Sequence, residues 1–353
     1  MPHGITWVGP KSLSLEISQW SQNFPGTLVG AGTCGDQRGV PGIMSSLLIS
    51  NEEREVRRIC VMDGEGMSSS DTSTFYLTLH NSVVIPRLGL GTFRSRGEQA
   101  KSSVLWALQS HYCLIDTASI YKNEAEIGQA LRDSGLERDK VFITSKISPF
   151  EHGYDSALLA VGKILERLDC GYLDLCLIHW PGAAKLDVKS EENAVRRTET
   201  WQALEDMYKQ GKCRAIGVSN YTKHHLEGLL SACTIRPMVN QVELHPYLPQ
   251  TLLRKYCTEN NIVVQAYSPL GCGNLLSDPL VSALAARYNR TPAQILLRWG
   301  IQHDVVVLPK SVRKDRIQQN AEIFYFLLSK DDMECLDGLD RNHHFCWSSE
   351  EIL

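Results

Sequence analysis

The chain has 353 residues, 43% of them apolar and 22% charged, with 36 basic against 40 acidic side chains and a net charge of −4. That near-balance excludes the strongly basic face of a general nucleic-acid binder, and no apolar run approaches the ~18–20 residues that a membrane-spanning helix needs. The eleven cysteines form no CxxC pair and no Cys/His cluster at zinc spacing, so they predict no metal site and read as free thiols in a reducing, cytoplasmic setting.

Residues 1–72 stand apart from the rest. They are rich in Gly, Ser and Pro, as in GTLVGAGTCGDQRGVPG and GEGMSSSDTS, and lack the basic and apolar regions of a secretory signal. They are expected to form a mostly disordered extension, with a short helix near 51–61, ahead of one folded domain over 73–353. From Thr74 the pattern tightens. FYLTL and VVIPRLGLGT flank His80 and Asn81 as the two arms of a hairpin. Short apolar runs then predict strands at 88–92, 113–116, 141–146, 173–178, 213–218, 238–243, 262–267 and 305–308. Helical periodicity fills the intervals at 98–110, 123–134, 155–169, 198–210, 222–231, 250–260, 279–302 (broken before Pro292) and 313–320. Eight alternating pairs point to an α/β fold with a parallel sheet, and a closed (β/α)8 TIM barrel fits the count. The tail from Ser329 to Leu353 adds a helix at 330–338 and a loop with Phe345 and Trp347, placed to lie across the barrel mouth.

Four polar residues interrupt or follow these apolar runs: Asp116 and Tyr121 in CLIDTASIY, Lys146 closing VFITSK, and His179 in YLDLCLIHW. Taken singly, each has a plain structural explanation: a helix N-cap, a half-buried aromatic, a surface lysine, a rim histidine. Together, they lie at the strand ends that open onto one face of a barrel. Carbonyl reduction needs a proton donor opposite a hydride donor. A free phenol, with a pKa of about 10, is a poor one at neutral pH. A neighbouring ammonium is expected to lower that pKa, a carboxylate to hold the ammonium, and an imidazole to orient the substrate oxygen.

With GLGTF (89–93), DTASIYKNEAEIGQAL (116–131), TSK (144–146), LIHWP (177–181), IGVSNY (216–221), NQVELHP (240–246), AYSPLG (266–271) and LPKSVRKDRIQQN (308–320) on one chain in this order, the sequence from about Thr74 to Trp347 resembles an aldo-keto reductase. The resemblance implies a barrel capped at its bottom by the hairpin, NADPH as cofactor, and a catalytic tetrad falling on Asp116, Tyr121, Lys146 and His179. It assigns Ser219, Asn220 and Gln241 to the nicotinamide carboxamide and Tyr267 to stacking on the ring. Ser268, Leu270 and Gly271 follow the pyrophosphate, and Lys310, Ser311, Val312, Arg316 and Asn320 hold the 2′-phosphate end. Lys and Arg suit a phosphate monoester, which favours NADPH over NADH, and no GxGxxG motif follows a strand.

The sequence departs from the family pattern in two places. Gln319 stands where many members have Glu, and the segment SPLGCGNLLSDP after Tyr267 is short, which implies looser cofactor retention. Phe93, Ile120, His179 and Trp180, with Phe150 beside them, are expected to wall the substrate pocket, closed from the tail by Phe345 and Trp347. The polar loop GAAKLDVKSEENAVRR after Trp180 has no apolar stripe for a steroid, so small or polar carbonyls such as glyoxals, diketo sugars and simple aldehydes are expected, acted on by a monomer without nucleic-acid or membrane partners. Two alternatives belong beside this reading: a cofactor-binding regulatory or structural member without turnover, and an extension that hinders the folded domain.

Overall fold

In a computed structural model of the protein, which describes residues 74–353, the chain opens with an antiparallel hairpin of β1 (Tyr76–Thr78) and β2 (Val84–Pro86). The disorder expected of 1–72, and the helix at 51–61, lie outside the described residues. The hairpin turns around His80 and Asn81, as predicted. Leu79 N–H donates to Val83 (2.8 Å), Ser82 N–H donates to Leu79 (2.8 Å), and Ser82 takes a φ of 69°. Asn81 Nδ2 donates to the Arg214 carbonyl at 2.9 Å, and Arg87 Nη1 to the Ile301 carbonyl at 3.1 Å. Both acceptors precede barrel strands, so the hairpin covers the end where the strands begin.

Eight parallel strands follow: β3 (Leu90–Gly91), β4 (Leu114–Asp116), β5 (Phe142–Ile147), β6 (Leu175–Ile178), β7 (Ile216–Ser219), β8 (Val239–Glu243), β9 (Val263–Tyr267) and β10 (Val306–Leu308). They pair in chain order as one sheet, and parallel bridges Leu88–Val307 and Gly91–Lys310 close it into a barrel. All residues of β4 through β8 are buried, so these strands do not alternate between a core face and a solvent face. Asp116, Lys146, Ser219 and Glu243 lie at or next to the C-terminal ends of their strands, with Thr144, Ser145, Asn240 and Gln241 farther in.

The helices are α1 (Gly97–Gln109), α2 (Glu124–Ser134), α3 (Tyr154–Leu168), α4 (Glu192–Lys209), α5 (Lys223–Ala232), α6 (Thr251–Glu259), α7 (Pro279–Tyr288), α8 (Pro292–Gln302), α9 (Lys314–Ala321) and α10 (Lys330–Asp337). The break before Pro292 has a local cause. Asn289 turns left-handed at φ 50°, and Thr291 then caps α8, its Oγ1 accepting from Gln294 N–H while the Gln294 side chain returns to the Thr291 N–H. Helix α4 begins at Glu192 rather than near 198, so the stretch expected as loop is partly helical. Its early turns are polar and carry an Arg196–Glu192 ion pair at helical spacing (2.9 Å), and their buried anchor is Asn193.

After α10 the tail runs along the C-terminal rim. Phe345 N–H and Cys346 N–H donate to the two oxygens of Glu243 at 2.8 and 3.1 Å. The Trp347 ring lies 4.7 Å from that of Trp180, and Ser349 Oγ donates to the Asn220 carbonyl. The placement across the barrel mouth is the one expected.

Candidate active site

Asp116 ends β4 and Lys146 sits one residue from the end of β5, on adjacent strands of the same rim. Lys146 is fully buried. Its Nζ donates to Asp116 Oδ1 at 2.6 Å and to the Thr117 carbonyl at 2.8 Å. The second carboxylate oxygen of Asp116 accepts from Gln241 Nε2 at 2.8 Å, so one acid ties β5 to β8 across the barrel mouth. Burial pulls the Lys146 pKa below its ordinary value, against the opposing pull of Asp116.

Tyr121 is carried past β4 by a single 3₁₀ turn, Ser119–Tyr121, which ends in a left-handed Lys122. The Lys146 ammonium lies 5.3 Å from the centre of its ring, and the His179 ring meets it edge-on at 5.6 Å. The phenol departs from expectation. Protein packed around it, and then the Asp116 carboxylate, push its pKa well above 10, where proximity to Lys146 was expected to lower it. Burial of the ring is the largest cause, and the Lys146 ammonium, bonded to Asp116, does not offset it. His179, one residue past β6, is held neutral: burial first, then Lys146 and His152, drive its pKa well below 6.5. Its Nδ1 is buried with no hydrogen-bond partner in the protein.

The candidate cofactor residues gather on the next strands of the same rim. Tyr267 donates its hydroxyl to Asn220 Oδ1 at 2.8 Å, and Asn220 Nδ2 donates to the His179 carbonyl at 2.9 Å. Asn220 itself holds a left-handed φ of 63°. Ser219 Oγ donates to the Gln241 carbonyl at 2.8 Å. Ser268, Leu270 and Gly271 lead into a 3₁₀ segment, Gly271–Ser277, in place of a long loop. Beyond β10, Lys310 and Arg316 are exposed, Ser311 and Val312 are half-buried, and Asn320 is buried on α9. Among the described residues neither Lys310 nor Arg316 has an acidic partner; partial burial and then Arg94 lower the Lys310 pKa. Lys310 and Arg316, each without a carboxylate partner, suit an anionic group such as a phosphate.

Of the expected pocket residues, Phe93 packs 5.1 Å from Tyr121, Trp180 stacks 6.4 Å from His179, and Ile120 is half-buried beside Tyr121. Phe150 is 50% exposed on a separate 3₁₀ turn. Sequence reasoning missed the anchors of the tail, Glu243 above all. A glutamate ending an apolar strand was visible in NQVELHP, but its partners lie about a hundred residues later. Nor did it foresee that Cys272 and Cys346 meet.

Residues 87–341 match the model of the aldo/keto reductase family. The chain is 46% identical to a glyoxal reductase of Bacillus subtilis, covering 78% of this chain and 96% of that protein. It is 44% identical to a 9,11-endoperoxide prostaglandin H2 reductase of Trypanosoma cruzi, covering 75% and 92%. Among solved structures, it is similar to an aldo-keto reductase from a deep-sea metagenome (39% identity, TM-score 0.73, 78% and 98% covered). A Bombyx mori aldo-keto reductase in complex with NADP is similar at 32% identity and a TM-score of 0.71 (76% and 94% covered).

Proposed function

The chain belongs to the aldo/keto reductase family, and from that premise we propose that it is an NADPH-dependent reductase of small aldehydes and ketones, with Tyr121 as general acid. The observation that carries the reading is the grouping of Tyr121, the Lys146–Asp116 ion pair and a neutral His179 on one rim. NADPH, when bound, supplies hydride to the carbonyl carbon. The rest falls to the chain. Tyr121 is protonated across the physiological range and gives its proton to the carbonyl oxygen as negative charge develops there. Lys146, fixed by Asp116, offers a positive field beside the ring as the proton leaves. His179, neutral and with Nδ1 sealed in protein, presents Nε2 to the substrate oxygen and orients it.

Ser219, Asn220, Gln241 and Tyr267 would hold the nicotinamide, Ser268, Leu270 and Gly271 the pyrophosphate, and Lys310, Ser311, Val312, Arg316 and Asn320 the 2′-phosphate. The unpaired Lys310 and Arg316 support the phosphorylated cofactor over NADH. Phe93, Ile120 and Trp180, with Trp347 across Trp180, would wall the substrate site, and the likeness to a glyoxal reductase supports small carbonyls. We read the protein as a cytoplasmic monomer, a setting consistent with nine free thiols among the described residues.

The test is NADPH and NADH oxidation in parallel over a carbonyl panel that includes methylglyoxal and 4-nitrobenzaldehyde. Turnover with NADPH is expected, and Tyr121→Phe should keep NADPH binding while losing roughly 10²–10⁴-fold in rate. A Tyr121→Phe enzyme with most of its rate would remove Tyr121 from the role of acid. Silence across the whole panel would favour a cofactor-binding role without turnover.

A further inference from the structure

Two thiols from distant parts of the chain meet beside the residues assigned to the pyrophosphate. Cys272 Sγ lies 3.8 Å from Cys346 Sγ, and Ser268 Oγ is 3.6 Å from each. Cys272 belongs to the short segment after β9 and Cys346 to the tail. The backbone is shaped for the meeting. Cys272 (φ 53°) and Gly273 (φ 93°) both turn left-handed, kinking the 3₁₀ segment so that Cys272 stands exposed. One residue back on each strand of chain, the Phe345 ring lies over Gly271, 2.8 Å from where a Cβ on that glycine would sit. The Glu243 carboxylate fixes the backbone of Phe345 and Cys346 from below. Tail and loop are therefore held in register, with sulfur facing sulfur at the solvent edge.

We propose that Cys272 and Cys346 form a reversible disulfide under hydroperoxide, strapping the tail to the cofactor loop and slowing nucleotide exchange. The Cys272 thiolate attacks the hydroperoxide, the O–O bond breaks, and the products are a sulfenic acid on Cys272 and an alcohol or water. The Cys346 thiol then attacks that sulfur; the S–S bond forms, water leaves, and two thiols have given two electrons to the peroxide. The environment favours Cys272 as the attacking group. Hydrogen bonding from Cys346, helped by Ser268 and Arg94 against partial burial, holds its pKa at about 6, whereas the same contact and burial push Cys346 up. The two other cysteines close to one another, Cys176 and Cys213, are buried in the barrel wall and out of a peroxide's reach.

The effect on exchange rests on the cofactor reading above, but formation of the bond does not. The strap would do by covalent closure what a longer loop after β9 would do by wrapping.

The fully reduced chain is treated with hydrogen peroxide or cumene hydroperoxide, alkylated, digested and analysed by mass spectrometry. NADPH dissociation is followed by stopped-flow fluorescence on the same samples. A peptide carrying Cys272 joined to one carrying Cys346 is expected, reversed by dithiothreitol and absent from Cys272→Ser and Cys346→Ser. NADPH release from the oxidised chain should slow about tenfold or more, and the two variants should keep the reduced rate in peroxide. Both cysteines remaining alkylatable after peroxide would overturn the proposal, as would a cross-link with unchanged NADPH release. A chain that binds no NADPH would defeat the cofactor reading instead, and the cross-link would still decide the thiol pair.

Discussion

Two buried histidines, His152 and His225, make the stability of the protein sensitive to acid. His152 sits in protein with neither ring nitrogen hydrogen-bonded, and burial, with Arg197 and Arg196 nearby, lowers its pKa to about 3. His225 spans from Thr222 to the Ile352 carbonyl, and burial lowers it to about 4 against the pull of that carbonyl. Both are neutral when folded and bind a proton near pH 6.5 when unfolded. The unfolded chain thus holds more protons between those values, so stability is full above pH 6.5 and is lost as pH falls toward 4 and 3. Each histidine should cost ~2 kcal/mol between pH 6.5 and 5, together lowering Tm by roughly 5–10 °C. Calorimetric scans at pH 7 and pH 5 check this, and His152→Leu should halve the drop; an unchanged drop in that variant would refute the assignment. The catalytic candidates were legible at this scale because a charge inside VFITSK or an acid ending CLID contradicts its apolar surroundings. The phenol's pKa was not legible, because it depends first on how much protein packs around the ring and then on the Asp116 carboxylate beside it, and only the folded contacts show either.

Strand β7 shows how an element depends on one missing side chain. A Cβ on Gly217 would lie 2.5 Å from the Val239 carbonyl of the neighbouring strand, so the β7–β8 pairing there admits only glycine. Gly217→Ala should force those strands apart, costing about 1–3 kcal/mol and displacing Ser219 and Asn220 two and three residues on. Thermal unfolding and NADPH titration of the variant should show a lower Tm and weaker binding together; a loss of stability with full NADPH affinity would separate β7 from the cofactor site. Strand and helix order was readable because most of the buried parallel strands centre on short apolar runs and the helices between them carry caps and Pro292. The start of α4 was not, because Glu192 to Arg197 is polar on nearly every face and its helix is held by a local ion pair rather than by an apolar stripe.

At the scale of the molecule, the hairpin and the active rim lie at opposite ends of the barrel, for the hairpin bonds to residues ahead of the strands and the site to residues behind them. We expect a chain beginning at Ser73 to match the full chain in activity and Tm; a large difference in either would give residues 1–72 a role. The barrel was visible from the count of its parts. The path of the tail was not, since its partners at Glu243, Trp180 and Asn220 are separated from it by most of the fold. That path carries an evolutionary implication. From Arg341 to Leu353 the chain adds no rung to the eight-stranded ladder, yet it furnishes the doorway. On the proposed function, substitutions there would alter what reaches the site while Tyr121 and the Lys146–Asp116 ion pair stay as they are. Relatives that share one chemistry are free to part company over diet, and a protein engineer has a short exchangeable hem to vary rather than a barrel to rebuild.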